Sequence, residues 1–143
     1  CMSNASNRGF ITTLLGIKCR FNLFEPRQVR NVPIPYEEAS EKWGEENIIR
    51  AFTYKALNRL IQGSAADMTK KAMVNLYKEG YVPHIQVHDE LDISVETKQQ
   101  AKEIKEIMED CVQLEVPNLV DAEVGVNWGK ATTPYEEAFN ERD

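Results

Sequence analysis

The sequence predicts an α+β fold in which a small antiparallel sheet packs against helices. Three observations predict it: an apolar hairpin pattern near the start, a helical period from about residue 46 to 80, and a two-residue alternation from His84 to Val95. With 143 residues, of which 42% are hydrophobic, the chain can fill a single core. No apolar run approaches the roughly 20 residues of a membrane span, so no membrane partner is expected.

The first predicted element is a β-hairpin over residues 10–24, with Gly16 at its turn. Three prolines then predict a connecting loop over 25–36. The acidic stretch from Tyr36 to Glu46 predicts either a short helix or an irregular excursion on the surface. We therefore divide the chain into three segments: 1–35, an acidic connecting segment 36–49, and a C-terminal region 50–143.

Apolar residues recur with a helical period from about Glu46 to Gly80. The pair Gly63-Ser64 interrupts them and predicts two helices, the second capped by Ser64 with Asp67 near its positive end. Gly80 is predicted to end that second helix. The residues predicted to face inward on the first helix are Leu57, Leu60 and Ile61.

The second half of the chain predicts a hairpin, a helix and a last strand. The hairpin bends at His88-Asp89-Glu90, and an amphipathic helix follows over residues 97–112. Its predicted buried residues are Ala101, Ile104, Met108 and Cys111. Residues 120–128 predict a strand with Val124 and Val126 on one face.

The net charge of −6 is unevenly distributed. Residues 1–35 and 50–80 each carry +4, whereas 36–49 carry −4 and 81–143 carry −10. The basic segments could hold a phosphate backbone locally, although two solvated faces would give the same distribution. The 3 cysteines include no C-x-x-C pair, which predicts neither a disulfide framework nor a zinc site. Without a signal-peptide layout, a reducing, cytoplasmic location is expected.

Asp89 and Glu90 are the first candidate site residues. They lie at a hairpin bend whose flanking strand residues, such as Val87, are expected to be buried and to hold the acids toward solvent. Two adjacent carboxylates in such a place suit Mg²⁺. This ion takes one or two carboxylates and completes its shell with phosphates and water. Paired metal ions can then clamp the attacking and leaving oxygens of phosphoryl transfer. An ordinary acidic turn with His88 on the surface is the alternative.

A polar helix face is the second candidate. Tyr54, Asn58 and Gln62 lie four residues apart, and the cations Lys55 and Arg59 sit beside them. Amide side chains next to cations can bind the acceptors of a DNA minor groove, which look alike for most base pairs. A solvent-facing helix without a ligand would show the same pattern.

Taken together and in order, these residues resemble the C-terminal palm of family A DNA polymerases, the class of bacterial DNA polymerase I and related phage enzymes. Four stretches resemble motifs of that family: 9–16 the G-[YF]-x-x-T-L-x-G hairpin after the fingers, 56–67 the N-x-x-x-Q-G-[ST]-A-A-D helix pair, 85–91 the Q-V-H-D-E-L hairpin, and 111–128 the closing strand. By this resemblance, 1–35 would hold the end of a fingers helix, and 50–143 the palm subdomain.

The resemblance implies roles for individual residues. Asp89 would be the second metal-binding carboxylate of a two-metal Mg²⁺ site, with Glu90 in support. His88 and Gln62 would contact the primer end and the adjacent base pair, and Asn58 the minor groove. Lys55 and Arg59 join them as DNA-binding candidates. Tyr54 stands where the family often has Arg.

Two motifs of the family are missing from this sequence: the D-Y-S-x-x-E motif with the other metal-binding Asp, and the R-x-x-x-K-x-x-x-[FY]-G fingers helix that grips the nucleotide. The isolated chain is therefore expected not to polymerise DNA. It would belong to a longer or split polymerase, and the start at Cys1 before Met2 favours truncation. Its partners would be primer-template DNA, deoxynucleoside triphosphates and the remaining polymerase, within a bacterial cell or phage-infected host.

Two other functions stay open on sequence grounds. The first is a DNA-binding module that kept the palm fold without catalysis. The second is a small metal-dependent phosphohydrolase that uses His88, Asp89 and Glu90, although no spacing brings further acids into that site.

Overall fold

Short antiparallel strand pairs alternate with helices along the chain, which confirms the predicted α+β fold. The computed structural model describes residues 1–28 and 31–138. Contacts divide the chain into two compact units, Cys1–Asp67 and Met68–Asp143, which we call the N-terminal and C-terminal units. The three-segment division inferred from the sequence stays a prediction.

The elements are numbered in chain order. The helices are α1 Met2–Arg8, α2 Tyr36–Trp43, α3 Ala56–Lys78, α4 Lys98–Glu109 and α5 Tyr135–Ala138. The strands are β1 Phe10–Thr12, β2 Lys18–Arg20, β3 Leu23–Pro26, β4 Ile34–Pro35, β5 Ile48–Arg50, β6 Ile85–Val87, β7 Glu90–Asp92, β8 Glu123–Val124 and β9 Thr133–Pro134. Short 3₁₀ helices cover Glu45–Asn47, Thr53–Lys55 and Trp128–Lys130.

The predicted N-terminal hairpin is present. Strands β1 and β2 pair antiparallel with Ile11 opposite Cys19. Gly16 lies at the turn with φ of 94°, a value that glycine adopts without strain. The hairpin packs its inner face into the core of the N-terminal unit, whose buried members are Ala5, Ile11, Phe21 and Ala56.

The loop predicted over 25–36 is wrong in part, because strands lie at both of its ends. Strands β4, β3 and β5 form a three-stranded sheet in that order, with Phe24 opposite both Ile34 and Arg50. Prolines are tolerated there because Pro26 ends β3 and Pro35 lies on an edge strand. Helix α2 follows, which settles the alternative for the acidic segment in favour of a helix.

Helix α3 is one continuous helix of 23 residues, so the predicted pair of helices is wrong. Gly63 lies inside it, and a Cβ there would come within 2.8 Å of Thr13 Cγ2. Ser64 does not cap a helix; its hydroxyl accepts a hydrogen bond from the Leu14 amide at 3.0 Å. Because Gly63 and Ser64 are small, the β1–β2 hairpin can pack closely against the surface of α3.

Gly80 ends α3 as predicted. The Tyr81 amide donates to the Leu76 carbonyl and the Gly80 amide to the Tyr77 carbonyl, which is the hydrogen-bond pattern of a Schellman cap. Gly80 has a φ of 89°, in the left-handed region that this cap requires.

The amphipathic helix of the C-terminal unit is confirmed as α4. Thr97 caps it in a capping box with Gln100. Ala101, Ile104 and Cys111 are buried, as predicted. The last strand is shorter than the predicted 120–128: only Glu123–Val124 is a strand, and it pairs with β9. Val126 lies beyond it and is 80% exposed.

None of the helices within 1–28 and 31–138 is both long and apolar enough to cross a bilayer.

Candidate metal site and nucleic-acid interface

The β6–β7 hairpin places Asp89 at its tip. Val87 pairs with Glu90, so His88 and Asp89 form a two-residue loop. His88 has a φ of 55°, in the left-handed region that is uncommon for residues other than glycine. The favoured two-residue hairpin loops have a positive φ at the first loop residue, so the local strain follows from the tightness of the turn.

Two side chains brace this tip. The Gln86 Nε2 donates to the His88 carbonyl at 2.6 Å. The Trp128 Nε1 donates to Glu90 Oε1 at 3.1 Å. Sequence reasoning missed Trp128 as a site residue, because 38 positions separate it from Glu90 and no local pattern connects them.

The carboxylates at the tip face solvent, as predicted, but their support does not have the predicted burial. Asp89 and Glu90 are exposed. Val87, which was expected to be a buried strand residue, is 36% exposed, and Ile85 on the same strand is 45% exposed. A strand pair with only two strands leaves one or both faces open, and no other described strand pairs with β6 or β7.

The tip fits a magnesium ion only in part. Glu90 uses Oε1 for the Trp128 bond, which leaves Oε2 available next to Asp89 in sequence. The described ranges, 1–28 and 31–138, bring no three His, Cys, Asp or Glu side chains into a metal-binding group. Mg²⁺ is commonly held by one or two carboxylates with water and phosphates, so the donor chemistry is compatible with a partial site.

The polar helix face lies in the N-terminal unit. Asn58 and Gln62 lie on α3 and are exposed, and Tyr54 lies one turn earlier in a 3₁₀ helix and is 61% exposed. The inward orientation predicted for Leu57 and Ile61 is wrong, because they are 55% and 61% exposed. Leu60 alone of the three packs against the core.

The two cations beside this face contact aromatic rings. The Arg59 guanidinium lies 4.9 Å from the Phe21 ring centroid and donates to the Arg20 carbonyl at 3.4 Å. The Lys55 Nζ lies 5.1 Å from the Phe52 ring centroid. Stacked cations of this kind keep their charge while their side chains are held in one orientation. Both residues are exposed and can still meet an anion.

Asp67 anchors the β1–β2 hairpin to the same helix. Its side chain is 3% exposed and accepts from Thr13 Oγ1 at 2.5 Å and from the Leu15 amide at 3.2 Å. Thr13 Oγ1 in turn accepts from the Ile17 amide at 3.0 Å. The predicted place of Asp67 near the start of a second helix is therefore wrong, and its side chain instead makes a tertiary contact that orders the hairpin turn.

The sequence profile of DNA polymerase family A matches residues 1–130. A DNA-directed DNA polymerase of Pseudomonas phage M6 is 41% identical over 90% of this chain and 16% of its own length. DNA polymerase I of Thermus filiformis, a thermostable enzyme by name, is 34% identical over 91% of the chain and 14% of its own length. DNA polymerase I of Streptococcus pneumoniae TIGR4 is 41% identical over 58% of this chain and 11% of its own length.

The fold and the matches together define the class of protein: an α+β part of a DNA polymerase, with a tight acidic hairpin. The chain belongs to DNA polymerase family A. It spans between 11% and 16% of the length of these three relatives.

Proposed function

We propose that this chain is the C-terminal palm part of a template-directed DNA polymerase that transfers nucleotides by a two-metal mechanism. The observation that carries the proposal is the β6–β7 hairpin, which presents exposed Asp89 and Glu90 on a strained two-residue loop in a member of family A. Strained backbone that surrounding contacts maintain is common where a side chain must be aimed at a ligand.

Asp89 and Glu90 would hold Mg²⁺ with their carboxylate oxygens. A bound ion there would neutralise charge that develops on the phosphate oxygens during nucleotidyl transfer. Asp89 is the principal ligand in this proposal, because one Glu90 oxygen already accepts the Trp128 N–H. The other metal-binding Asp of the two-metal site would come from the remaining polymerase, in the same chain or a second one.

DNA would contact exposed polar groups of each unit. In the N-terminal unit, Asn58 and Gln62 would bind minor-groove acceptors, with Arg59 and Lys55 neutralising phosphates. Their exposure supports this role. In the C-terminal unit, His88 would contact the primer end. Deoxynucleoside triphosphates would be held mainly by residues of the remaining polymerase.

We further propose that the isolated chain does not polymerise DNA. The two motifs missing from the sequence support this view, as does the small share of its relatives that it spans. The polymerase to which it belongs would act in the cytoplasm of a bacterial or phage-infected cell. Exposed Ile85 and Val87 would pack against the remaining polymerase.

The test is incorporation of one nucleotide on a primer-template. We expect no product from the chain alone, and product once it is combined with the N-terminal remainder of the Pseudomonas phage M6 relative, which is 41% identical over the shared region. Asp89→Asn should remove that product. Asp121→Asn, an exposed acid of the same unit, is the matched control and should leave it unchanged.

Two results would contradict the proposal. Product from the isolated chain that Asp89→Asn abolishes would show that the chain is active by itself. Product from the combined polymerase that survives Asp89→Asn would remove the metal site from the hairpin tip.

A DNA-binding module without catalysis is the second candidate, and the exposed amide face of α3 favours it because that face needs no metal. Primer-template binding by the chain that responds neither to Mg²⁺ nor to Asp89→Asn would support this function. Phosphohydrolase activity would instead appear as phosphate release from a simple ester, lost in Asp89→Asn.

A further inference from the structure

Trp128 begins a short 3₁₀ turn in the C-terminal unit, and two backbone hydrogen bonds hold that turn. The Lys130 amide donates to the Asn127 carbonyl at 3.0 Å, and the Ala131 amide to the Trp128 carbonyl at 3.1 Å. A Cβ at Gly125 would collide with the Lys130 carbonyl, so the backbone at these two residues is too close for a side chain to fit between them. The backbone that carries the indole therefore has little room to shift.

The indole does little packing. Trp128 is 56% exposed and belongs to no buried cluster among the residues that the structure describes. Indole nitrogen is a donor only, and here it donates to Glu90 Oε1 at 3.1 Å. Its distinguishing contact is thus polar, with a carboxylate of the hairpin tip.

The Glu90 carboxylate gains a fixed orientation from this contact. Glu90 begins β7 and pairs with Val87, so its backbone is set by the strand ladder. Its exposed side chain would otherwise rotate freely. With Oε1 engaged, Oε2 is left to face a ligand, while the Gln86 amide independently steadies the neighbouring His88 carbonyl.

We propose that Trp128 is a positioning residue, which acts through Glu90 to prepare the hairpin tip for a divalent cation. The inference deepens the proposed function and rests on it. A hydrogen-bond partner behind a ligating carboxylate orients that ligand, and its removal commonly lowers metal affinity tenfold or more. Trp128→Phe keeps the ring and removes only the donor.

The experiment is a titration of the full chain with Mn²⁺, a spectroscopically visible substitute for Mg²⁺, in which electron paramagnetic resonance measures free ion. We expect Trp128→Phe to weaken Mn²⁺ binding roughly tenfold. In the Glu90→Gln background, the same substitution should have no further effect, because the charged oxygen through which it acts is gone. Trp43→Phe, on α2, is the matched control and should leave the affinity unchanged.

Three outcomes would overturn the inference: no loss of affinity in Trp128→Phe, an equal loss in both backgrounds, or no Mn²⁺ binding by the unaltered chain. A second measurement needs no variant at Trp128. The chain has 2 tryptophans, and in a nuclear magnetic resonance spectrum Glu90→Gln should shift the indole N–H signal of Trp128 and not that of Trp43. An unmoved Trp128 signal would also overturn it.

These outcomes are independent of the nucleotide incorporation test. Loss of incorporation in Asp89→Asn together with unaltered Mn²⁺ affinity in Trp128→Phe would retain the proposed function and refute the role of Trp128. Incorporation that survives Asp89→Asn would refute the proposed function directly.

Discussion

Asp67 and Thr13 are joined by a buried hydrogen bond between side chains 54 residues apart. The carboxylate receives a second donor, the Leu15 amide, and the hydroxyl receives the Ile17 amide. A single carboxylate thus orders both the approach of the hairpin to α3 and the shape of the hairpin turn. Buried polar groups are tolerated when such partners satisfy them and are costly when one is removed.

Thr13→Val tests this network. The substitution preserves shape but removes the hydroxyl, so a buried oxygen of Asp67 and the Ile17 amide each lose a partner. We expect the free energy of unfolding of the N-terminal unit to fall by about 2–3 kcal/mol, measured by urea denaturation. Ser64→Ala removes a hydroxyl that accepts from the exposed Leu14 amide and should cost about 0.5–1 kcal/mol. Equal losses in the two variants would contradict the buried anchor.

His88 is the residue at which stability and the proposed function are expected to conflict. His88→Gly should raise the free energy of unfolding of the C-terminal unit by about 0.5–1 kcal/mol, because glycine adopts a φ of 55° without strain. His84→Gly, at a residue without positive φ, should lower it. Chemical denaturation measures both. A stabilised His88→Gly variant that also loses primer-template binding would fit the proposed role of the imidazole.

At the scale of elements, α3 depends on close contact with the β1–β2 hairpin. Gly63→Ala adds helix propensity, worth about 1 kcal/mol, but its Cβ would lie 2.8 Å from Thr13 Cγ2. The Thr13 hydroxyl is bound to Asp67, so the methyl group cannot rotate away without breaking that bond.

We therefore expect Gly63→Ala to destabilise the N-terminal unit by a net value of about 1 kcal/mol, because overpacking costs about 1–3 kcal/mol and the added helix propensity offsets about 1 kcal/mol of it. Thermal denaturation followed by circular dichroism would measure it. The same substitution combined with Thr13→Ser, which lacks the methyl group, should recover most of the loss. A stabilised single variant would show that the hairpin lies farther from the helix.

Tyr81 links the segment after α3 to α4, since its hydroxyl donates to Glu103 Oε2 at 2.5 Å. This bond lowers the pKa of Glu103, assisted by a second bond from Gln99. The same bond, together with burial and repulsion from Glu103 and Glu79, raises the pKa of Tyr81 above its ordinary 10.0.

The two shifts predict a pH dependence at both ends of the range. A lowered carboxyl pKa stabilises the fold above the ordinary value of 4.5, and that stability is lost as pH falls through the folded value. A raised phenol pKa stabilises the fold below 10.0, and this is lost as pH rises through the folded value. Tyr81→Phe should flatten both limbs of the stability profile, whereas Tyr77→Phe, at a 70% exposed residue, should not.

Local patterns predicted the elements whose signals lie close together in sequence. The hairpin turn at Gly16, the cap at Gly80 and the buried stripe of α4 all follow from neighbours within a few residues. The three-stranded sheet was missed because Phe24 pairs with Arg50, 26 positions away, and no local signal specifies that partner. Helix α3 was divided wrongly because a Gly-Ser pair is a typical break, unless another element needs the space.

The hairpin bend of the candidate site was predictable from the sequence, but its support was not, and metal binding by its carboxylates stays a prediction. Adjacent carboxylates at a turn mark Asp89 and Glu90 from the sequence alone. The strain at His88 and the bond from Trp128 depend on tertiary structure, which periodicity does not report. Apolar periodicity also overstates burial: Leu57 and Ile61 have helical spacing, yet they are 55% and 61% exposed.

At the scale of the whole molecule, both units expose large apolar side chains. Leu57 and Ile61 are more than half exposed in the N-terminal unit, and Val126 and Ile85 are 80% and 45% exposed in the C-terminal unit. Exposed apolar side chains in such number are typical of surfaces that meet another protein surface.

We expect the isolated chain to associate with itself as its concentration rises, because water-exposed apolar surface can be buried between copies. Sedimentation velocity would detect this. Leu57→Lys combined with Ile61→Lys should reduce the association and change the free energy of unfolding by no more than about 0.5 kcal/mol, as surface substitutions usually do. A variant that unfolds instead would show that these two side chains belong to the core.

The crowding of Gly125 against the Lys130 carbonyl has an evolutionary consequence. No side chain fits there, so a relative in which this glycine has been replaced must have rerouted the 127–131 turn. Such a lineage would displace its indole from the hairpin carboxylate and would need another donor for it. Substitutions at Gly125 and Trp128 should therefore be correlated among relatives, so that both residues are retained or both are replaced.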